Sequence, residues 1–409
     1  MDREPHDVMD NAAANFDFRR LPDDFLDDPF PYYRALRECD PVKTLPDGTF
    51  FLSRHGDVLA CYRDCGSFSS DKRREFLPKF GGKSRLYRHH TTSLVFNDAP
   101  YHTRVRRSIL GALVPKALAP IGRKLKDLVN RLLDRAEASC EFDAIGDFAA
   151  AIPVNVIGDL LGIPDGDRGP LRNWSLAILG GLEPVLAPAA LDRGEQALGE
   201  FHDYLSELIA DRRRHPRDPA SDVLTRLIQS DGEPLSEIEL SENCVFLLNA
   251  GHETTTNLIG NAIELLARFP EQRKRLVADP ELLRPAIEEV LRFESPNQLG
   301  NRVTTGAVTI GGKPVPAGSF IVLGIGAANR DPEAFADPEA FDIARNPNRH
   351  VAFAAGVHQC AGMNLARMEA QIALEALVSR FPGYTLTGKP VRTGRVRFRG
   401  FSAMRVRCR

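Results

Sequence analysis

No run of apolar residues in this 409-residue chain is long enough to span a bilayer, and Met1 to Asn15 lack the apolar core of a secretory signal. These absences predict a soluble, cytoplasmic protein without a membrane anchor. Net charge is scarce too: 53 Lys and Arg against 55 Asp and Glu leave −2. That balance argues against nucleic acid or an anionic membrane as partner. The seven cysteines are an odd set without zinc spacing, and Cys61 and Cys65 have no second pair beside them. They read as reduced thiols, not as a disulfide framework. No repeat, low-complexity block or linker interrupts the chain. With 43% hydrophobic residues, it has ample core for one globular unit over 16–409, behind a polar, disordered tail over 1–15.

Local patterns predict helices over 28–39 and 56–64, with a hairpin between them around Pro46-Asp47-Gly48. Residues 71–90 are crowded with Lys and Arg and read as a long loop. From Asp98 almost to residue 295 the pattern is helical, broken near Pro115, Pro153, Pro164, Pro216 and Pro234. Strand signals return at Val303–Ile310 and Ser319–Leu323 and again after Tyr384, and residues 331–359 read as irregular. Periodicity alone thus gives an α-rich globular protein.

What the chain does have is concentrated around Cys360. The segment from Phe353 to Gly362 places Phe353, Gly356, His358, Cys360 and Gly362 in the register F-x-x-G-x-H-x-C-x-G, just before an amphipathic run. A lone intracellular cysteine is ordinarily a small buried hydrophobe. Five fixed positions argue for more, and amide N–H groups at a helix start favour a thiolate, a soft metal ligand. Upstream, Ala250-Gly251-His252-Glu253-Thr254 lies inside a helical run. Gly251 would let a flat ligand approach the backbone, and Thr254 could turn its hydroxyl onto a preceding carbonyl and loosen the helix. Glu253 would be an acid beside that groove, and His252 is expected to pack or face away. Glu289 and Arg292, at i and i+3, can pair on one helical face. His102 and Arg106, at i and i+4 after Asp98 and Pro100, also share a face.

The cysteine segment resembles the haem-binding loop of the cytochrome P-450 superfamily, F-G-x-G-x-H-x-C-x-G, with Ala354 where the family usually has glycine. If that position needs φ > 0, alanine is strained there. The other motifs resemble the family's A-G-x-[DE]-T, E-x-x-R and H-x-x-x-R patterns, in the family's order. The resemblance implies a mainly α fold with small β-sheets, a triangular prism around a long distal helix. It implies haem b with Cys360 as axial thiolate, and Ala250 and Gly251 against the haem. His102, Arg106, Arg302 and His358 would hold the propionates. Glu253 and Thr254 would relay protons to dioxygen, and the Glu289–Arg292 pair would anchor residues 331–359. Ala340 stands where the family often has an arginine, so Arg345 or Arg349 is expected to complete that network.

The implied activity is a monooxygenase acting on a hydrophobic small molecule, fed electrons by a separate ferredoxin and NAD(P)H-dependent reductase. The alternatives are a peroxide-using enzyme and a non-catalytic haem protein. A basic patch of Arg104, Arg107, Arg345 and Arg349 would dock the ferredoxin. Substrate would meet residues 80–95, 165–190, 246–254, 296–300 and 400–401. Leu247, Leu248 and Ala250 would form an apolar wall, and Asn249, Asn297 and Gln298 would orient the substrate. The basic residues over 83–90 are expected to be solvated, with a carboxylate anchor as the alternative.

Overall fold

The computed structural model describes residues 5–111, 113–220, 222–229 and 234–408. Its spine is the 32-residue helix Glu237–Arg268, opened by a reciprocal capping box between Ser236 and Glu239. Most of its side chains are buried, because helices pack on it from several sides, among them Ala151–Leu161, Leu171–Gly180, Met363–Arg380 and Leu283–Phe293. The main hydrophobic core lies among these helices. Two smaller cores flank a five-stranded sheet.

That sheet runs Val42–Thr44, Phe50–Leu52, Phe320–Gly324, Leu299–Thr304, Phe68–Ser69. The expected hairpin supplies its first two strands, and Phe50–Leu52 then pairs in parallel with Phe320–Gly324 across most of the chain. The tail forms short strands in two further sheets. Residues 331–359 are irregular apart from one short turn at Gly356–His358, as expected.

Two expectations fail. The disordered tail is in part a helix, Pro5–Ala14, whose Ala13 is buried in a small core that Met9 and Ala12 also join; residues 1–4 lie outside the described residues. The basic segment 71–90 is two helices, Arg73–Phe80 and Arg85–Thr92. The second is capped by the Ser84 hydroxyl and buries Leu86, His89, His90 and Thr91, a face that is mostly polar in composition. One membrane-length apolar window also exists, Ala144–Leu161, and 67% of it is buried in the core.

Candidate active site

The cysteine loop is held by a hydrogen bond from the Cys360 N–H to the Phe353 carbonyl at 2.9 Å. Ala354 has φ +55° and Gly356 φ +68°, so the strain expected at Ala354 is present. At Gly356 a Cβ would lie 2.4 Å from the Tyr62 carbonyl oxygen, which only glycine avoids. The helix begins at Met363, beyond Cys360. Cys360 is exposed by accessible area, yet enclosed closely enough that burial is the leading influence on its thiol and pushes it up. The Gly362 N–H, Arg106 and Arg367 pull the other way without reversing it. The helix start alone therefore does not make the thiolate, contrary to expectation; a bound metal ion would.

Four basic groups from three segments meet here: His102 and Arg106 on the helix Tyr101–Leu110, Arg302 on the strand Leu299–Thr304, and His358 in the loop itself. The rings of His102 and His358 lie 4.0 Å apart, and His358 reaches Asp98 at 3.7 Å. Burial, then His358 and Arg106, lower His102 to about 4. Burial also lowers His358 and Arg302. Asp98 is the one carboxylate among the charged groups that act on His102, and it is already occupied by the Ser69 hydroxyl and the Ser70 N–H. His102 Nε2 is buried and has no hydrogen-bond partner. Arg106 donates to the Gln359 carbonyl at 2.6 Å, tying its helix to the loop. So dense a basic cluster calls for anions.

On the central helix Phe246, Leu247, Ala250, Gly251 and Thr254 form an accessible stripe with a repeat near four, while their neighbours are buried. The Thr254 hydroxyl donates to the Ala250 carbonyl at 2.9 Å, as expected. Gly251 has a further reason for lacking a side chain: its Cβ would lie 2.5 Å from Ile157 Cδ1 on the adjoining helix.

Glu253 sits on the buried side. Arg395 Nη1 bridges both its oxygens at 2.7 and 2.9 Å and Arg395 Nη2 donates to the Leu176 carbonyl. Burial raises the Glu253 carboxyl to about 7, against the pull of Arg395. A cavity of about 150 Å³ opens beside it, lined in part by Arg172, His252, Arg395 and Ser402. His252 packs there as expected, lowered to about 3 by burial. Sequence reasoning missed Arg395, which belongs to no motif.

Glu289 and Arg292 are wholly buried and paired at 2.7 Å through both nitrogen–oxygen contacts. The remaining guanidinium hydrogens go to the carbonyls of Asn329, Pro338 and Ala340, so all five donors are used. Arg345 bonds both Glu289 oxygens and supplies the cation missing at Ala340.

Other expectations are corrected by packing. Arg345 belongs to this network and Arg104 pairs with Glu239, which removes both from the supposed docking patch. Arg349 instead joins Arg63, Asp331 and Glu333 around a cleft of about 610 Å³ that also reaches Ala354 and Gln359. Leu248 is core, Asn249 is turned onto His89, and Gln298 donates to the Ser295 carbonyl. Of the basic residues over 83–90, Lys83, Arg85 and Arg88 are exposed as expected, whereas His89 and His90 are buried; Arg88 and His89 both bind the buried Glu242, which His202 also contacts.

A thiol presented by a strained loop, a basic cluster with an orphaned imidazole nitrogen and an accessible helix stripe suit a flat, dianionic, iron-bearing ring. They define a haem-thiolate protein. The chain belongs to the cytochrome P-450 family. The family model for cytochrome P-450 matches residues 182–393. The chain is 34% identical to the biotin biosynthesis cytochrome P-450 of Bacillus subtilis (strain 168), over 89% of this chain and 91% of that protein. It is 36% identical to the vitamin D(3) 25-hydroxylase of Pseudonocardia autotrophica, over 88% of each. Among solved structures, P450BioI in complex with a hexadec-9Z-enoic acid-ligated acyl carrier protein superposes with TM-score 0.89 at 32% identity, covering 95% of this chain and 100% of that one. CYP109E1 from Bacillus megaterium in complex with testosterone gives 0.81 at 32%, covering 93% and 99%. Members of this family are monooxygenases that use haem with a cysteine thiolate ligand.

Proposed function

We propose that the chain from the helix Pro5–Ala14 onward forms one catalytic domain, in which Cys360 is the thiolate ligand of haem b and His102, Arg106, Arg302 and His358 hold the propionates. The reaction inserts one atom of dioxygen into a C–H bond of a hydrophobic small molecule. Bound there, haem supplies the redox chemistry, and the thiolate's electron density favours O–O cleavage.

The protein's part is positioning and protons. Ala250, Gly251 and Leu247 present an apolar wall, and Thr254 carries a hydroxyl on that same stripe. The observation that carries the oxygenase reading is Glu253, next to Thr254 and raised to about 7. Such a carboxyl is half protonated near neutral pH and can take a proton from the cavity side and release it. Arg395 holds it on the cavity side, so its release toward Thr254 needs that ion pair to open. Hydrogen peroxide brings its own two protons, so a peroxide-driven reaction draws less on this reserve than dioxygen does.

The substrate is inferred to be a lipid-like molecule, in keeping with the steroid, secosteroid and fatty-acyl ligands or substrates in the names of similar proteins. Electrons would come from a separate ferredoxin and NAD(P)H-dependent reductase. Arg63 and Arg349 are the cations placed to meet it at the cleft outside the cysteine loop. The inferred location is the cytoplasm.

The test is the absorption spectrum after dithionite reduction and carbon monoxide, beside Cys360→Ala. A strongly red-shifted Soret band that the variant loses is expected; a protein that takes up no haem overturns the proposal. Turnover with the ferredoxin system but not with peroxide alone would separate the two oxygen sources.

A further inference from the structure

His252 takes no part in the chemistry above, yet it lines the cavity of about 150 Å³ beside Glu253. Its side chain is 1% exposed, and neither ring nitrogen has a hydrogen-bond partner. Asn257, five residues further along the central helix, lines the same cavity. It is 3% exposed, and its amide Nδ2 is also without a partner. Buried polar atoms are costly in this state unless something completes them.

The charge around the cavity says what that something is. Arg172, on the helix Leu171–Gly180, reaches the cavity and makes no hydrogen bond or ion pair among the described residues. Arg395 enters from the C-terminal loop, and its bonds to Glu253 and the Leu176 carbonyl use three of its five donors. The charged groups that act on His252 are these two arginines. Glu253 is the one carboxylate on the cavity wall, and both its oxygens are on Arg395. Glu183 also acts on Glu253, but it lies off the cavity wall and accepts from the Val396 and Arg397 N–H groups. Two guanidinium groups thus face one carboxyl that is half protonated near neutral pH, and the balance is positive. Water can satisfy an imidazole or an amide, but it brings no opposite charge. At about 30 Å³ per liquid water, the space takes a four-atom planar ion with water beside it.

We propose that this cavity is a binding site for a small planar oxyanion of the carbonate or carboxylate class, held by Arg172, His252 and the free donors of Arg395. The guanidinium fork suits two oxygens of such an ion, and the imidazole N–H or the Asn257 amide meets the third side. The bound anion shares Arg395 with Glu253, so the site adjoins the proton reserve without depending on the haem-thiolate reading.

The experiment follows thermal unfolding of the holoenzyme by circular dichroism in increasing sodium nitrate, with sodium gluconate holding the ionic strength. Nitrate is planar and does not titrate near neutral pH, and gluconate is too large for the cavity. Wild type should show a saturable rise in melting temperature, half complete at about 10 mM nitrate. Arg172→Met should move that midpoint about tenfold higher, and Arg172→Lys should recover part of the loss. His252→Leu removes the inner imidazole, should also weaken the effect, and serves if Arg172→Met does not fold. Sodium bicarbonate and sodium acetate in place of nitrate then tell a carbonate ligand from a carboxylate one by which has the lower midpoint. Equal melting temperatures in nitrate and gluconate up to about 100 mM would overturn the proposal, because water would then suffice. So would a midpoint in Arg172→Met within about twofold of wild type. A chain that takes up no haem would refute the previous subsection, and the same unfolding assay would still decide the anion site.

Discussion

Glu253→Gln keeps the side chain's shape and removes its titration. In the wild type the carboxyl is 2% exposed and burial lifts it from 4.5 to about 7. A folded value above the unfolded one means stability that is fully present below pH 4.5 and is lost as pH rises through 7. At about 1.4 kcal/mol per unit, this group withdraws about 3 kcal/mol across that window. The amide withdraws nothing, but it gives up the charge opposite Arg395. That guanidinium is 18% exposed and keeps the Leu176 carbonyl at 2.7 Å, so about 1 kcal/mol is a fair offset. The variant should therefore match wild type at pH 5 and exceed it by about 2 kcal/mol at pH 8. Urea unfolding followed by circular dichroism, at equal haem loading, measures both. Its dioxygen-dependent turnover should meanwhile fall about 100-fold while the carbon monoxide band is unchanged. Parallel stability profiles from pH 5 to 8 would refute the assignment of a buried, raised acid.

Ala354→Gly relieves about 1–2 kcal/mol of left-handed strain and gives back about half of that through the freer unfolded chain, so a small gain in melting temperature is expected. Ala354→Val should lose several degrees, and equal melting of the two variants would contradict the φ of this residue. Glu289→Gln leaves Arg292 and Arg345 facing an amide inside the protein and should cost about 3–5 kcal/mol, read as lost haem retention and a lowered urea midpoint.

The motifs were legible in the sequence because each is short and local. His102 and Arg106 share a helix turn, Glu289 and Arg292 another, and the cysteine loop is nearly contiguous. What escaped was paired over long distances: Arg395 meets Glu253 across 142 residues, and nothing near either one announces it. The helix Arg85–Thr92 escaped for another reason. Its buried face is built from two histidines and a threonine around one leucine, so an apolar-pattern reading sees a polar loop. Burial there is made tolerable by Glu242 from the central helix, a partner that only the fold supplies.

A motif position can also be right for an incomplete reason. The glycine of Ala250-Gly251 was expected to clear space for a flat ligand. The structure adds a helix–helix contact, with Ile157 Cδ1 where a Cβ would stand 2.5 Å away. The two causes separate in a double-mutant cycle. If the helix contact governs, Gly251→Ala should cost about 1–3 kcal/mol by overpacking, and Ile157→Val, which removes Cδ1, should recover most of that. Haem content should then follow stability. If the ligand side governs, Gly251→Ala should weaken haem binding with little change in the apoprotein's unfolding, and Ile157→Val should rescue nothing. Because Cδ1 is the end of a side chain that can rotate, the coupling energy rather than the single-variant cost is the number that decides.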